Sequence, residues 1–327
     1  MRSSGPESWL SCPTPFTTDT MPLIDGGSKT LWFFTGVFLF MCGLVIVETA
    51  EALPLALCLP SLYVTIADRM GRRSLSLVLA AVPCGLVVVP GLVGGVVFYA
   101  CIILCGVMLH EFMLKGKPGL AVLSPSCLLI AVITLIILGI SYQRGIGPDA
   151  LIAKWVANVM SQVASIYAQT LSPEMYKEFS ATRAVFEKRF VQLFWGLAAS
   201  LILFIMWLNL LMASGSRKAS RLRDWKSPDW MVGFFIIASA FSVMNYEIIQ
   251  VIGFNLLIVV SQIYFFQGMG IVSSAMIEHN WVRFIRLVIY ILILSQIYIM
   301  IVVAALGLFD TWFDFRKMIR NTEGDKT

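Results

Sequence analysis

Long apolar stretches separated by short polar or basic breaks run through most of this chain. They fall at about 31–47, 52–67, 74–90, 92–110, 121–141, 190–212, 231–249, 252–277 and 286–308. A helix crosses the hydrocarbon of a bilayer with roughly 20 mostly apolar residues, and there it satisfies its own backbone polar groups. The pattern predicts an all-α fold, a polytopic transmembrane helical bundle of about nine spans, or eight if one of the last three does not cross. The first two spans are short for a straight crossing, and Pro54 and Pro60 interrupt the second. Residues 74–110 exceed one crossing, and Pro90-Gly91 with Gly94-Gly95 supplies the hinge of a tight helical hairpin. The last run, Arg286 to Phe309, reads as one helix that leaves the membrane at Asp310-Thr-Trp-Phe-Asp-Phe-Arg-Lys.

Residues 142–189 have a different pattern. Ile152, Trp155, Val156, Val159, Val163, Ile166 and Tyr167 recur at spacings of three and four, one face of a helix. Ser172-Pro173-Glu174 then reads as a helix start, and Met175, Phe179, Thr182 and Phe186 continue at helical spacing into the next span. The segment is expected to form one amphipathic extramembrane helical hairpin. The organisation that follows is a disordered tail over 1–30, an N-terminal transmembrane bundle over 31–141 and the hairpin over 142–189. A C-terminal bundle over 190–309 and a membrane-exit helix with its tail over 310–327 complete it. The tail has no signal-peptide pattern, and Met21, just before the first span, is an alternative start to Met1.

Composition agrees with a lipid environment. Hydrophobic residues make up 58% of the chain and charged residues 13%, against roughly 45–50% and about 25% in soluble domains. The net charge of +5 comes from short basic clusters beside apolar runs, so no nucleic-acid partner is expected. Arg69, Arg72 and Arg73, then Lys115 and Lys117, then Arg217, Lys218, Arg221, Arg223 and Lys226 mark three loops that belong on one cytoplasmic side. A count of nine spans puts the 142–189 hairpin outside, and also leaves Arg316, Lys317 and Arg320 outside, against the charge rule. Trp32, Trp195, Trp207, Trp230, Trp281 and Trp312 are placed near membrane interfaces. Seven cysteines form no CxxC pair, and only His110 and His279 are present, so neither a metal site nor a cofactor is expected.

No nucleotide-binding, metalloprotease or serine-hydrolase motif occurs in the chain, and the protein is not expected to be an enzyme. Polar groups in apolar surroundings are the remaining functional pointers, because an ionisable group in hydrocarbon needs a partner or a task. Glu48 and Glu51 read as a mouth-facing acidic pair or a solvated loop end. Glu111, after His110, faces the bundle interior or pairs at the interface with Lys115. Asn255 and Gln262, with Tyr264, form an inward polar stripe, while Gln267-Gly268 and Gly270 let a ligand or a neighbouring backbone approach. Asn255, Gln262, Gln267, Gly268 and Glu111 are therefore candidate ligand-binding residues, with interhelical hydrogen bonding as the alternative reading. Asp310, Trp312, Asp314 and Arg316 are candidate partner-contact residues, or the rim of a membrane-exit helix.

The strings GFNLL at 253–257, FFQGMGIVSS at 265–274 and GLFDTWFDFRK at 307–317 resemble the YybS-like family of bacterial multi-pass membrane proteins, a domain of unknown function. Trp225-Lys-Ser-Pro-Asp-Trp230, Leu208-Asn-Leu-Leu211, Leu59-Pro60, Asp68-Arg-Met-Gly-Arg72 and Glu111 before a Lys-Gly turn are similar to its pattern as well. The resemblance covers about 31–318 and implies an all-helical protein of the bacterial inner membrane. It also implies a distant similarity to the substrate-binding components of energy-coupling-factor transporters. The expectation is a small-molecule-binding transporter component, the alternative a membrane scaffold that binds another protein of the envelope. The lipid bilayer is the expected partner in either case.

Overall fold

The computed structural model describes residues 57–70, 93–170, 172–213 and 225–315. The expected N-terminal tail, the first span, the 74–90 span, Glu48 and Glu51, the basic cluster at 217–223 and Arg316 lie outside them. The described residues form nine helices. In chain order they are α1 Leu59–Met70, α2 Val93–Leu114, α3 Pro118–Arg144, α4 Pro148–Thr170, α5 Pro173–Ala213, α6 Met231–Ser242, α7 Glu247–Glu278, α8 Arg283–Ser295 and α9 Ile297–Phe313. No strand occurs among them.

Helix ends follow local chemistry. Gly116 after α2 and Gly145 after α3 adopt φ 67° and 64°. The amide after each reaches back five residues, from Lys117 to the Phe112 carbonyl and from Ile146 to that of Ser141. Asn280 does the same after α7, with Trp281 bonding to the Met276 carbonyl. This left-handed cap satisfies carbonyls that a helix end leaves open. Pro118, Pro148 and Pro173 sit at the first positions of α3, α4 and α5, where a missing N–H costs nothing.

Two groups of contacts build the bundle. In one, α1 packs on α2, α2 on α3, and both α1 and α3 on α5. In the other, α5, α6 and α9 surround α7. Along α5, Gly196, Ser200 and Trp207 meet Asn255, Gln262 and Phe266 of α7 in the same order, so these helices run parallel. Gly307 of α9 lies against Tyr264 and Val303 against Gly268, so α9 runs back along α7. That last crossing is backbone on backbone. A Cβ at Gly268 would fall on the Val303 carbonyl oxygen, and one at Gly307 on that of Tyr264.

Among the described residues, α3, α5 and α7 are long and apolar enough to cross a membrane, and α8 with α9 makes a fourth crossing only as a broken pair. Two expectations change. The run 286–308 is not one straight helix, because α8 and α9 meet at 103°. There Ser295 donates its hydroxyl to the Leu292 carbonyl and Gln296 is extended, a local bond that competes with the helix ladder. The span at 231–249 yields only the 12-residue α6. It stops where Ser242 bonds back to the Ser239 carbonyl and its last turn rests on Gly253. The second arm of the 142–189 hairpin and the following span are one 41-residue helix, α5, about 60 Å long at 1.5 Å per residue.

Candidate functional site

Gln267 sits two-thirds of the way along α7 with none of its side chain exposed. Its Oε1 accepts from the backbone N–H of Ser227 at 3.0 Å and from the Ser227 hydroxyl at 2.6 Å. Its Nε2 donates to Oδ2 of Asp310 at 2.9 Å. Ser227 and Asp310 are themselves 2% and 0% exposed. One amide therefore ties three segments together: the chain entering α6, the middle of α7 and the last turn of α9. A buried polar group is tolerated when its bonds are made and costs heavily when they are not.

Beside this knot lies a cleft of about 80 Å³. Trp207, Trp225, Trp230 and Phe266 wall it, with Pro118, Leu123 and Leu210 among the rest of its lining. Trp207 stacks on Phe266 with ring centres 4.8 Å apart. Trp225 covers Gly119, where a Cβ would come within 2.8 Å of the indole nitrogen. Trp225 and Phe266 are close chain neighbours of Ser227 and Gln267, so the cleft wall and the polar knot share backbone. Lys115, Lys117 and Lys226 flank the cleft in sequence, so two of the basic loops converge at this end. Trp207, assigned from sequence to an interfacial belt, is half-buried against the core, whereas Trp230, Trp281 and Trp312 are exposed.

The candidate residues separate into distinct places. Asn255 accepts from the Gly196 amide and donates to the carbonyls of Gln192 and Val251. Gln262 accepts from the Ser200 hydroxyl at 3.1 Å. Both serve the α5–α7 seam and neither lines the tryptophan cleft. Gln267 faces α9 and Ser227, not that seam. Gly268 meets the backbone of α9. Glu111 is half-buried near the end of α2, beside His110, and is not in the cleft. Asp310, expected at the rim of the exit helix, is fully buried. Its N-terminal neighbour Phe309 and Trp312 are exposed and touch at 6.3 Å. Asp314 ends α9 in a left-handed conformation, φ 50°, with its amide on the Asp310 carbonyl.

Other polar contacts were not singled out from sequence. Asn209 of α5 accepts from the Ser61 amide at 3.0 Å and donates to the Leu57 carbonyl at 2.7 Å, capping α1 from a neighbouring helix. His110 Nε2 lies 3.0 Å from Asp68 Oδ1, linking the far end of α1 to α2. Ser227, Asn209 and Asp68 all lie in strings that carry the family resemblance, and that was their only signal in the sequence. Among the described residues no cluster of His, Cys, Asp or Glu could hold a metal ion.

Apolar helices of crossing length around a core with few polar groups define a helical membrane protein. A sequence model of the family described as "Predicted membrane protein (DUF2232)" matches residues 36–311. The chain belongs to that family, whose description assigns no activity. Comparison with curated proteins and with solved structures returned no match.

Proposed function

We propose that this protein is a non-enzymatic ligand-binding component of a transport system in the bacterial inner membrane, and that the tryptophan cleft holds the ligand. The observation that carries this reading is the cleft itself, walled by Trp207, Trp225, Trp230 and Phe266 at the end where basic loops gather. Such a concave, largely apolar surface with aromatic walls is what small-molecule sites are made of. Its size fits a small apolar molecule or the ring of a larger one. Occupancy would move Phe266 and Trp225, and through the adjacent Gln267 and Ser227 it would shift the α7–α9 contact, which is how a bound state could be read by a partner. The broken α8–α9 pair supports the same reading, since transporter helices are often interrupted. The distant similarity to energy-coupling-factor substrate components that the sequence resemblance implies points the same way.

A thermal-shift screen of vitamins and metabolites against the detergent-purified protein tests this. A ligand that raises Tm in the wild type and not in Leu123→Trp, which fills the cleft, is the expected result. No stabilising compound from a broad panel, with the wild type folded, would count against the proposal. The scaffold reading draws on one observation: Ile166, Tyr167, Met175, Val185 and Phe186 are exposed on the α4–α5 hairpin. It requires a specific co-purifying protein that is lost when residues 150–185 are deleted.

A further inference from the structure

A second and larger cavity, about 470 Å³, opens where α3, α4 and α5 meet. It lies between the two arms of the amphipathic hairpin and the end of α3, and it shares no residue with the tryptophan cleft. Its walls combine two chemistries. Ile137, Ile140, Leu151, Ile152, Trp155 and Phe194 give an apolar trough, with Trp155 and Phe194 in edge contact at 6.2 Å. Arg144 and Lys154 stand on the same cavity, and neither has an acidic partner among the described residues. The other ion pairs nearby are closed within the hairpin and onto α7: Arg183 with Glu187, and Lys188 with Glu247.

We infer that this groove binds an anionic phospholipid, its phosphate held by Arg144 and Lys154 and its acyl chain laid along α3. Position argues for it. Leu135, Ile136 and Leu138 of α3 are exposed on the segment just before the trough, as a lipid-facing surface should be. Ile137 and Arg144 are seven residues apart on one helix, about 10 Å of rise, so the wall spans from acyl chain to headgroup. Gly145, in its left-handed conformation, ends α3 directly after Arg144 and sends the chain into α4, which brings Lys154 to the same cavity. Trp155 and Phe194 mark an interfacial depth, where aromatic rings gather. Two cations over an apolar trough complement an amphipathic anion and no neutral lipid. The inference is independent of the ligand proposed for the tryptophan cleft.

Native mass spectrometry of the protein released from nanodiscs of phosphatidylcholine mixed with phosphatidylglycerol tests it. The expected result is retained phosphatidylglycerol in excess of its share of the bilayer, falling several-fold in Arg144→Gln/Lys154→Gln. Both side chains are exposed, so the double variant should fold, and its unchanged Tm in detergent checks that. Trp155→Ala should lower retention while leaving the charge pair intact. Retention of both lipids in proportion to the bilayer, or unchanged preference in the double variant, overturns the inference. Loss of the retained lipid on adding inorganic phosphate alone would also overturn it, by assigning the site to a free anion.

Discussion

The side chain of Gln267 is the most consequential single group in the described structure. It gives and receives three hydrogen bonds with no exposure, so Gln267→Leu leaves the Ser227 and Asp310 groups without this partner. A buried group left unsatisfied costs about 1–3 kcal/mol, and the apparent Tm of Gln267→Leu in detergent should fall accordingly. Ser227→Ala should cost less, because the backbone N–H still donates. The double variant should fall short of the sum of the two, as coupled residues do. Gly307→Val offers a steric counterpart. Its added carbons meet the Tyr264 carbonyl, so loss of monodisperse protein on size exclusion is expected, while Gly233→Ala, with open space around it, should be neutral. Sequence reasoning could find Gln267, an amide in an apolar run, and could see that Gly268 admits a close neighbour. It could not find Ser227 or Asp310 as partners, because they come from segments 40 and 43 residues away. Of the expected stripe, Asn255 and Gln262 do share the α5–α7 seam, while Tyr264 turns to Phe235 of α6, and Gln267 faces elsewhere again. Gln267 lies five residues beyond Gln262, about 140° further round the helix.

At the scale of elements, the pattern located helices better than it located their ends. The apolar runs at 121–141 and 252–277 lie within α3 and α7, and α2 takes in residues 93–110 of the run before them, because length and hydropathy alone fix such helices. The breaks at Ser242 and Gln296 were not legible, since Ser and Gln interrupt many helices without bending them. At both a hydroxyl bonds back to a carbonyl, and at Ser242 the last turn also packs on Gly253 of α7. The α8–α9 bend carries a prediction. With axes at 103°, α8 and α9 cannot both be steep to the membrane, and α9 runs along α7. Spin labels placed singly from Phe284 to Leu294 should therefore report nearly constant depth, while labels along α9 deepen steadily. A continuous depth gradient from Arg283 to Phe313 would contradict the bend.

For the molecule as a whole, α7 is the axis around which α5, α6 and α9 are arranged, and α5 joins that group to α1, α2 and α3. Parallel α5 and α7 run toward the end where Lys115, Lys117 and Lys226 gather, and α9 runs back from it. Its last turn nevertheless stays at that end, because Gln267 ties Asp310 to Ser227 beside Lys226. Phosphatases fused after Phe315 and placed in the 213–229 loop should therefore report the same side of the membrane. Activity at one position and silence at the other would refute this placement. Charge counting alone left the C-terminal basic residues in conflict with the topology, because they carry no information on how α8 and α9 turn.

Saturation binding tests most directly whether the tryptophan cleft holds a ligand. Once a stabilising compound is in hand, its Kd is measured for the wild type, Leu123→Trp and Asn255→Ala. The account predicts that Leu123→Trp weakens binding by at least about tenfold, or roughly 1.4 kcal/mol. Asn255→Ala, on the α5–α7 seam, should lower stability and leave Kd near the wild-type value. Binding unchanged in Leu123→Trp, or abolished in a folded Asn255→Ala, would contradict the account and return the site to the amide stripe.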